Sequence, residues 1–209
     1  MIIGLSGYAR SGKDTAAEGL QAIGFERVAF ADKLREFLYA LDPIIAEELV
    51  PESLDLLTGY DHIYKRIRLQ QIIDKYGWNG YKETRYGQEI RALLQRLGTE
   101  CGRSIISDTI WIDAALNNAS AENIVVTDCR FENKASAIKD RGGFVVRINR
   151  PGITAVNAHI SETSLDNWLF DHVIENDGFI DKLHADIRNA VRELARRAKI
   201  IEDISGGSQ

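Results

Sequence analysis

The chain has 209 residues, 44% of them hydrophobic and 27% charged, with a formal net charge of −5 and a sequence pI near 5.5. That size fits one domain, or one domain carrying a sizeable insertion, and the acidic balance argues against nucleic acid as a bulk electrostatic partner. No apolar run reaches the length of a membrane span, and the opening M-I-I-G-L-S lacks the basic region and apolar length of a signal peptide, so a cytoplasmic protein with no membrane partner is expected.

In chain order, the first strand pattern is I-I-G-L-S (2–6), followed by a glycine-containing loop and a helical pattern from Lys13 to about Gly24. R-V-A-F (27–30) reads as the second strand. More than ninety residues then separate it from the third, N-I-V-V-T (123–127). A parallel crossover needs only about a dozen residues. The surplus carries helical patterns at Ala31–Leu41, Tyr64–Tyr76, Gln88–Leu97 and Ser107–Leu116, so a helical insert is expected over residues 35–100. Residues 1–34 and 101–203 form the core domain in this reading, and 204–209 a disordered tail.

After the third strand a helix over Glu132–Arg141 stops at Gly142-Gly143. Strands F-V-V-R-I (144–148) and H-V-I-E (172–175) follow. A last helix over about Ile180–Ile200 has Leu183, Ile187, Val191 and Leu194 at helical spacing. Apolar, mostly β-branched strands alternating with helices predict an α/β fold: five parallel strands in a sheet covered on both faces. Cys101 and Cys129 lack C-x-x-C spacing and read as buried small residues in a reducing compartment. The four histidines are scattered, without zinc-ligand spacing.

The chemistry concentrates in G-Y-A-R-S-G-K-D-T (7–15), one residue away from the phosphate loop G-x-x-x-x-G-K-[ST]. Gly7 and Gly12 let backbone N–H groups turn inward, together with Ser11, and the helix starting at Gly12-Lys13 offers its positive dipole end. Lys13 suits the β- and γ-phosphates. Asp14 replaces the hydroxyl that usually meets Mg²⁺. Its carboxylate is itself a magnesium ligand, direct or through water, and Thr15 is the alternative one residue on. Arg10 is placed to clamp a phosphate from the side.

Asp128 ends the third strand in V-V-T-D-C-R, at the edge where open α/β sheets bind ligands, and Arg130 follows it. In the insert, Ile90, Leu93, Leu94 and Leu97 form a core stripe, and Arg91 and Gln95 share its flank. Arg91 suits a 5′-phosphate and Gln95 a base edge. Thr99 and Glu100 are sugar and base contacts or helix caps; Trp111 is a stacking platform or core. Arg35 is a candidate phosphate clamp, as are Lys65, Arg66 and Arg68, of which Arg66 is assigned to the substrate although spacing does not say which faces a cleft. Arg147 and Arg150 flank the end of the fourth strand, and Arg150 is assigned to the nucleotide. H-I-S-E-T-S-L-D (159–166) reads as helix-cap chemistry, and the N-D-G turn at 176–178 as a loop near a purine ring.

In order, G-Y-A-R-S-G-K-D-T, F-A-D-K-L-R-E, I-R-A-L-L-Q-R-L-G-T-E, D-T-I-W-I, V-V-T-D-C-R-F-E-N, R-I-N-R-P-G and H-I-S-E resemble the bacteriophage deoxynucleoside-monophosphate kinases over roughly residues 2–195. The resemblance implies a P-loop kinase with a helical monophosphate-binding insert. It implies transfer of the ATP γ-phosphate, with Mg²⁺, to a deoxynucleoside 5′-monophosphate for DNA precursor synthesis. Arg10, Gly12, Lys13, Asp14 and Thr15 match its ATP loop. Arg35, Arg91, Gln95, Thr99, Glu100 and Trp111 match the monophosphate side, and Asp128 and Arg130 the junction. The stretch from Asp42 to Thr84 follows the pattern poorly. Direct in-line transfer is expected, with Lys13, Mg²⁺, Arg130 and Arg10 offsetting charge and insert closure excluding water. The runner-up is a P-loop kinase for a coenzyme precursor or phosphomevalonate; a nucleotide-dependent switch is less favoured, for want of an N-K-x-D motif. A homodimer is left open.

Overall fold

The computed structural model describes residues 1–49, 64–117, 119, 121–154 and 163–206. In chain order the elements are β1 (Ile2–Ser6), α1 (Lys13–Gln21), β2 (Glu26–Val28), α2 (Phe30–Leu41), β3 (Ile44–Leu49), β4 (Tyr64–Arg68), α3 (Leu69–Gly80), a 3₁₀ turn (Tyr81–Glu83) and α4 (Gly87–Gln95). A π-wound segment (Arg96–Ile106) follows, then α5 (Ile110–Asn117), β5 (Ile124–Val126), α6 (Glu132–Asp140), β6 (Phe144–Asn149), β7 (His172–Glu175) and α7 (Ile180–Gly206). Two compact units result: Met1–Ala31 with Ile112–Gln209, and Asp32–Trp111.

The first unit is built on a five-stranded sheet in the order β2-β5-β1-β6-β7, every pairing parallel. Strand periodicity divides its side chains between two cores. Ile3, Leu5, Val125, Val146, Ile148 and Ile174 pack with Ala16, Ala17 and Leu20 of α1 and Leu183, Ile187, Val191 and Leu194 of α7. Ile124, Val126 and Val145 pack with Ile112, Ala115 and Leu116 of α5 and Ala135 and Ile138 of α6. Both faces are covered, which is why the inner strands β1, β5 and β6 read as largely apolar runs. β1 lies at the centre, so the loops leaving β1, β5, β6 and β7 emerge along one carboxyl edge of the sheet.

The second unit has its own core of Leu38, Ile45, Ile67, Leu69, Ile72, Ile73, Tyr81 and Ile90. The predicted stripe holds: Ile90 is fully buried and Leu93, Leu94 and Leu97 pack against that cluster. The expected helix over Tyr64–Tyr76 does not form as one piece. Its first five residues are strand β4, antiparallel to β3, and the helix begins at Leu69. The register places Glu47 opposite Arg66 and Glu48 opposite Lys65, pairing an acidic strand with a basic one. Ile67 is the one buried residue of β4, a pattern too sparse to betray a strand.

Other boundaries differ as well. The second strand ends at Val28, and Phe30 already belongs to α2. The inserted unit runs Asp32–Trp111 rather than 35–100, because α4 continues through the π-wound segment and Trp111 anchors back onto it, its indole N–H donating to Gly98 O at 3.0 Å. α7 extends to Gly206, past the expected start of a disordered tail at 204. No glycine or proline interrupts the sequence between Gly178 and Gly206, so nothing stops the helix sooner. Among the described residues no helix is long and apolar enough to cross a membrane.

Candidate active site

β1 runs directly into the loop Gly7–Gly12, and α1 starts at Lys13. Gly7 and Gly12 hold φ of +145° and +105°, and at both a side chain would collide. A Cβ on Gly7 would stand 2.4 Å from Ile148 O, and one on Gly12 2.5 Å from Asn176 Nδ2. Arg10 adopts φ +65°, uncommon for a residue with a side chain, and is exposed. Lys13 folds back over the loop, its Nζ donating to Gly7 O at 2.8 Å and Tyr8 O at 2.7 Å, and is only 7% exposed. Ser11 Oγ is buried and, among the described residues, without a hydrogen-bond partner.

Arg10, Gly12, Lys13, Asp14, Thr15 and Arg150 line one cavity of about 280 Å³. Sequence reasoning left Arg147 and Arg150 as alternatives, and the structure separates them. Arg150 lines this cavity; Arg147 is buried with its guanidinium 4.6 Å from the Tyr8 ring. Asp14 stands in the first turn of α1, its side chain 79% exposed, with one oxygen 3.5 Å from Arg27. So open an ion pair adds little stability. Asn176, in the predicted N-D-G turn, donates from Nδ2 to Ser11 O at 2.8 Å and so buttresses the loop.

Asp128, at the carboxyl end of β5, does not cap the helix that follows it. Its Oδ1 accepts from Phe30 N at 2.9 Å and its Oδ2 from Ala31 N at 3.4 Å, at the start of α2. Lys134, on the first turns of α6, completes the arrangement: its Nζ donates to Asp128 Oδ2 at 3.2 Å and Asp128 O at 3.1 Å and lies 4.9 Å from the Phe30 ring. Arg130, two residues on in the chain, is half-buried.

Within the second unit, Arg35 lies in a cavity of about 320 Å³ with Asp32, Glu36, Tyr39 and Trp78. Asp32 pairs with the guanidinium at 3.4 Å, and the Trp78 ring lies 5.9 Å from it. Arg91 and Gln95 are exposed on α4. Arg66 pairs with Glu47 at 3.2 Å, Arg68 with Asp42 at 3.3 Å, and Lys65 is exposed. Thr99 Oγ1 accepts from Arg103 at 3.0 Å, and Glu100 lies 3.9 Å from Arg96. Besides its bond to Gly98, Trp111 meets Phe37 edge to face at 6.2 Å.

A family model described as deoxynucleotide monophosphate kinase matches residues 56–187. The chain belongs to that family. A protein of Acanthamoeba polyphaga mimivirus, provisionally described as a deoxynucleotide monophosphate kinase, is 28% identical over 212 residues, 91% of this chain and 96% of its own. The deoxynucleotide monophosphate kinase of Enterobacteria phage T4 is 30% identical over 111 residues, 50% of this chain and 46% of its own length. Among solved structures, shikimate kinase from Aquifex aeolicus covers 93% of this chain and 98% of its own at 13% identity, with a TM-score of 0.43.

As a member of the deoxynucleotide monophosphate kinase family the chain is a phosphotransferase acting on a nucleotide, and the coenzyme-precursor and switch readings are not favoured. Lys134, Trp78, Tyr39 and Asp32, which the sequence reading did not single out, stand beside Asp128 or line the cavity around Arg35. Lys134 alone left a signal, a lysine six residues beyond a strand-end aspartate.

The cysteines divide, against the expectation that both are buried. Cys129 is buried beside Asp128, and burial pushes its thiol up to about 12; Cys101 is exposed on the π-wound segment. A thiolate is the reacting species, so Cys129 is shielded at neutral pH both sterically and by its protonation. A chromogenic disulfide reagent is expected to titrate one thiol per native chain and two after denaturation. Two rapid thiols in the native state would contradict this placement.

Proposed function

We propose that the chain passes the γ-phosphate of ATP directly to the 5′-phosphate of a deoxynucleoside monophosphate, giving ADP and the diphosphate for DNA precursor synthesis. The observation that carries the donor half is the single cavity bringing Arg10, Lys13, Asp14, Thr15 and Arg150 together at the start of α1. Three cationic side chains and a helix N-terminus there suit a polyphosphate. The buried Ser11 hydroxyl is a further donor for a phosphate oxygen. In the in-line step an acceptor phosphate oxygen attacks the γ-phosphorus as the bond to the β–γ bridging oxygen breaks, and ADP leaves with that electron pair. Lys13, Arg10 and Arg130 offset charge on the transferring group.

Mg²⁺ fits the donor set, because Asp14 and Thr15 present hard oxygen atoms at the cavity. Among the described residues no group of three or more His, Cys, Asp or Glu side chains could hold a metal alone. That matches an ion held mainly by substrate phosphates and water, with Asp14 or Thr15 from the protein and Asp128 acting through water. Bound there, it would neutralise phosphate charge.

For the acceptor, the cavity around Arg35 supplies a guanidinium for the 5′-phosphate, with Trp78 and Tyr39 as flat apolar walls. Arg66, Arg91, Gln95, Thr99, Glu100 and Trp111 stay the further candidates on this unit. Arg35→Ala is expected to raise the acceptor KM roughly ten- to a hundredfold, the worth of a charge-assisted hydrogen bond, with the ATP KM unchanged. An unaltered acceptor KM would remove Arg35 from the site.

The reading is tested by ADP formation from ATP and Mg²⁺ with each deoxynucleoside and ribonucleoside monophosphate added singly. Stimulation by one or more deoxynucleotides is expected. A rate indifferent to every monophosphate would overturn it.

A further inference from the structure

Arg147, on β6, is only 7% exposed, and none of the steps above uses it. A buried guanidinium persists only where its charge and its donors are matched. Here its Nη2 donates to Asp166 Oδ1 at 3.1 Å and its Nε to Asn149 Oδ1 at 3.2 Å. Its plane lies 4.6 Å from the Tyr8 ring and 5.4 Å from that of Phe170. Tyr8 closes the circuit by donating its phenol to the Asp166 carboxylate, with both oxygens at 3.0 Å.

Tyr8 is the second residue of the phosphate loop, and its backbone carbonyl is hydrogen-bonded as well as its side chain. That carbonyl accepts from Lys13 Nζ at 2.7 Å and from Ser11 N at 3.2 Å. One residue therefore joins the pair of buried Arg147 and more exposed Asp166 to the atom on which Lys13 rests. We infer that Tyr8, Asp166 and Arg147 are positioning residues: a brace that pre-sets the first turn of the phosphate loop, and with it Lys13, for the nucleotide. The inference rests on the loop being the ATP site, as proposed above. Ordering the loop before binding lowers the entropy that binding must overcome. Burial, and then the hydrogen bond to Asp166, push the Tyr8 phenol above its usual range, so it stays a donor across the neutral range.

A packing role and a positioning role differ in what they move. Tyr8→Phe keeps the ring against Arg147 and removes only the donor; Asp166→Asn keeps an acceptor and removes the charge. Each is expected to raise the ATP KM about tenfold, with the acceptor KM within about twofold. The double variant is expected to be no worse than either single one, because the two groups act as one unit. ATP binding by wild-type and variant protein, measured calorimetrically without acceptor, and melting temperatures accompany the kinetics. Lowered melting with an unchanged ATP KM would make the network packing alone and overturn the brace. Equal rises in both KM values, or additive effects in the double variant, would overturn it too. Wild-type protein that binds no ATP overturns the donor assignment and the brace together; wild-type binding with unaltered Tyr8→Phe binding overturns the brace alone.

Discussion

Lys13→Ala is expected to lower kcat by roughly 10²–10³-fold, the loss seen when one preorganised charge-stabilising donor is removed. The ammonium is held over the loop by two carbonyls and almost fully withdrawn from water, so it is in place before the transferring group develops charge. The chain should stay folded. Tyr8 O retains a bond from Ser11 N, and the hydrophobic clusters beneath the sheet do not involve the lysine. Lys13→Arg is not a rescue, because a planar fork does not reproduce a point charge seated on two carbonyls. Steady-state kcat at saturating acceptor, read beside the melting temperature, checks this. Near-normal turnover in Lys13→Ala would remove the loop from catalysis.

Asp128→Ala is the second large effect, and it has two parts. The carboxylate accepts from the first backbone N–H groups of α2 and pairs with Lys134, both side chains being only 20% exposed. Loss of a helix cap costs about 0.5–2 kcal/mol, and an ammonium left unpaired in a half-buried place adds to it. The expected loss of kcat, about 10²-fold, comes from removing a negative charge at the carboxyl end of the strand beside β1. Asp128→Asn separates the parts. An amide oxygen can still accept from Phe30 N, so most of the stability should return while kcat stays low. Recovery of both would leave Asp128 as a cap and nothing more.

Much of the first unit is legible in the sequence for a physical reason. The inner strands, buried on both faces, must be largely apolar, so Ile2–Ser6 and Phe144–Asn149 announce themselves with little error at their ends. The loop is legible because Gly7 and Gly12 sit where positive φ and close backbone approach admit nothing larger. The second unit hides more. β3 and β4 each bury little, and their pairing is written in opposite charges across a gap in sequence. The π-wound stretch follows a period that the 3.6-residue pattern does not test.

At the site, residue types could be read but not partnerships. Asp128 and Arg150 were visible as strand-end residues, whereas the choice between Arg147 and Arg150 depends on Tyr8 and Asp166, which are 158 residues apart. Arg35 stood out within F-A-D-K-L-R-E, but the Trp78 ring beside it comes from the far end of α3. Convergence of that kind is a property of the fold and leaves no local pattern.

The central claim is transfer to a nucleotide rather than to water, and following the label tests it most directly. ATP labelled at the γ-phosphate is incubated with the protein, Mg²⁺ and each deoxynucleoside monophosphate, and the products are separated. The label is expected in the deoxynucleoside diphosphate, one equivalent for each ADP formed. Label released as inorganic phosphate at the same rate with and without a monophosphate would contradict the account.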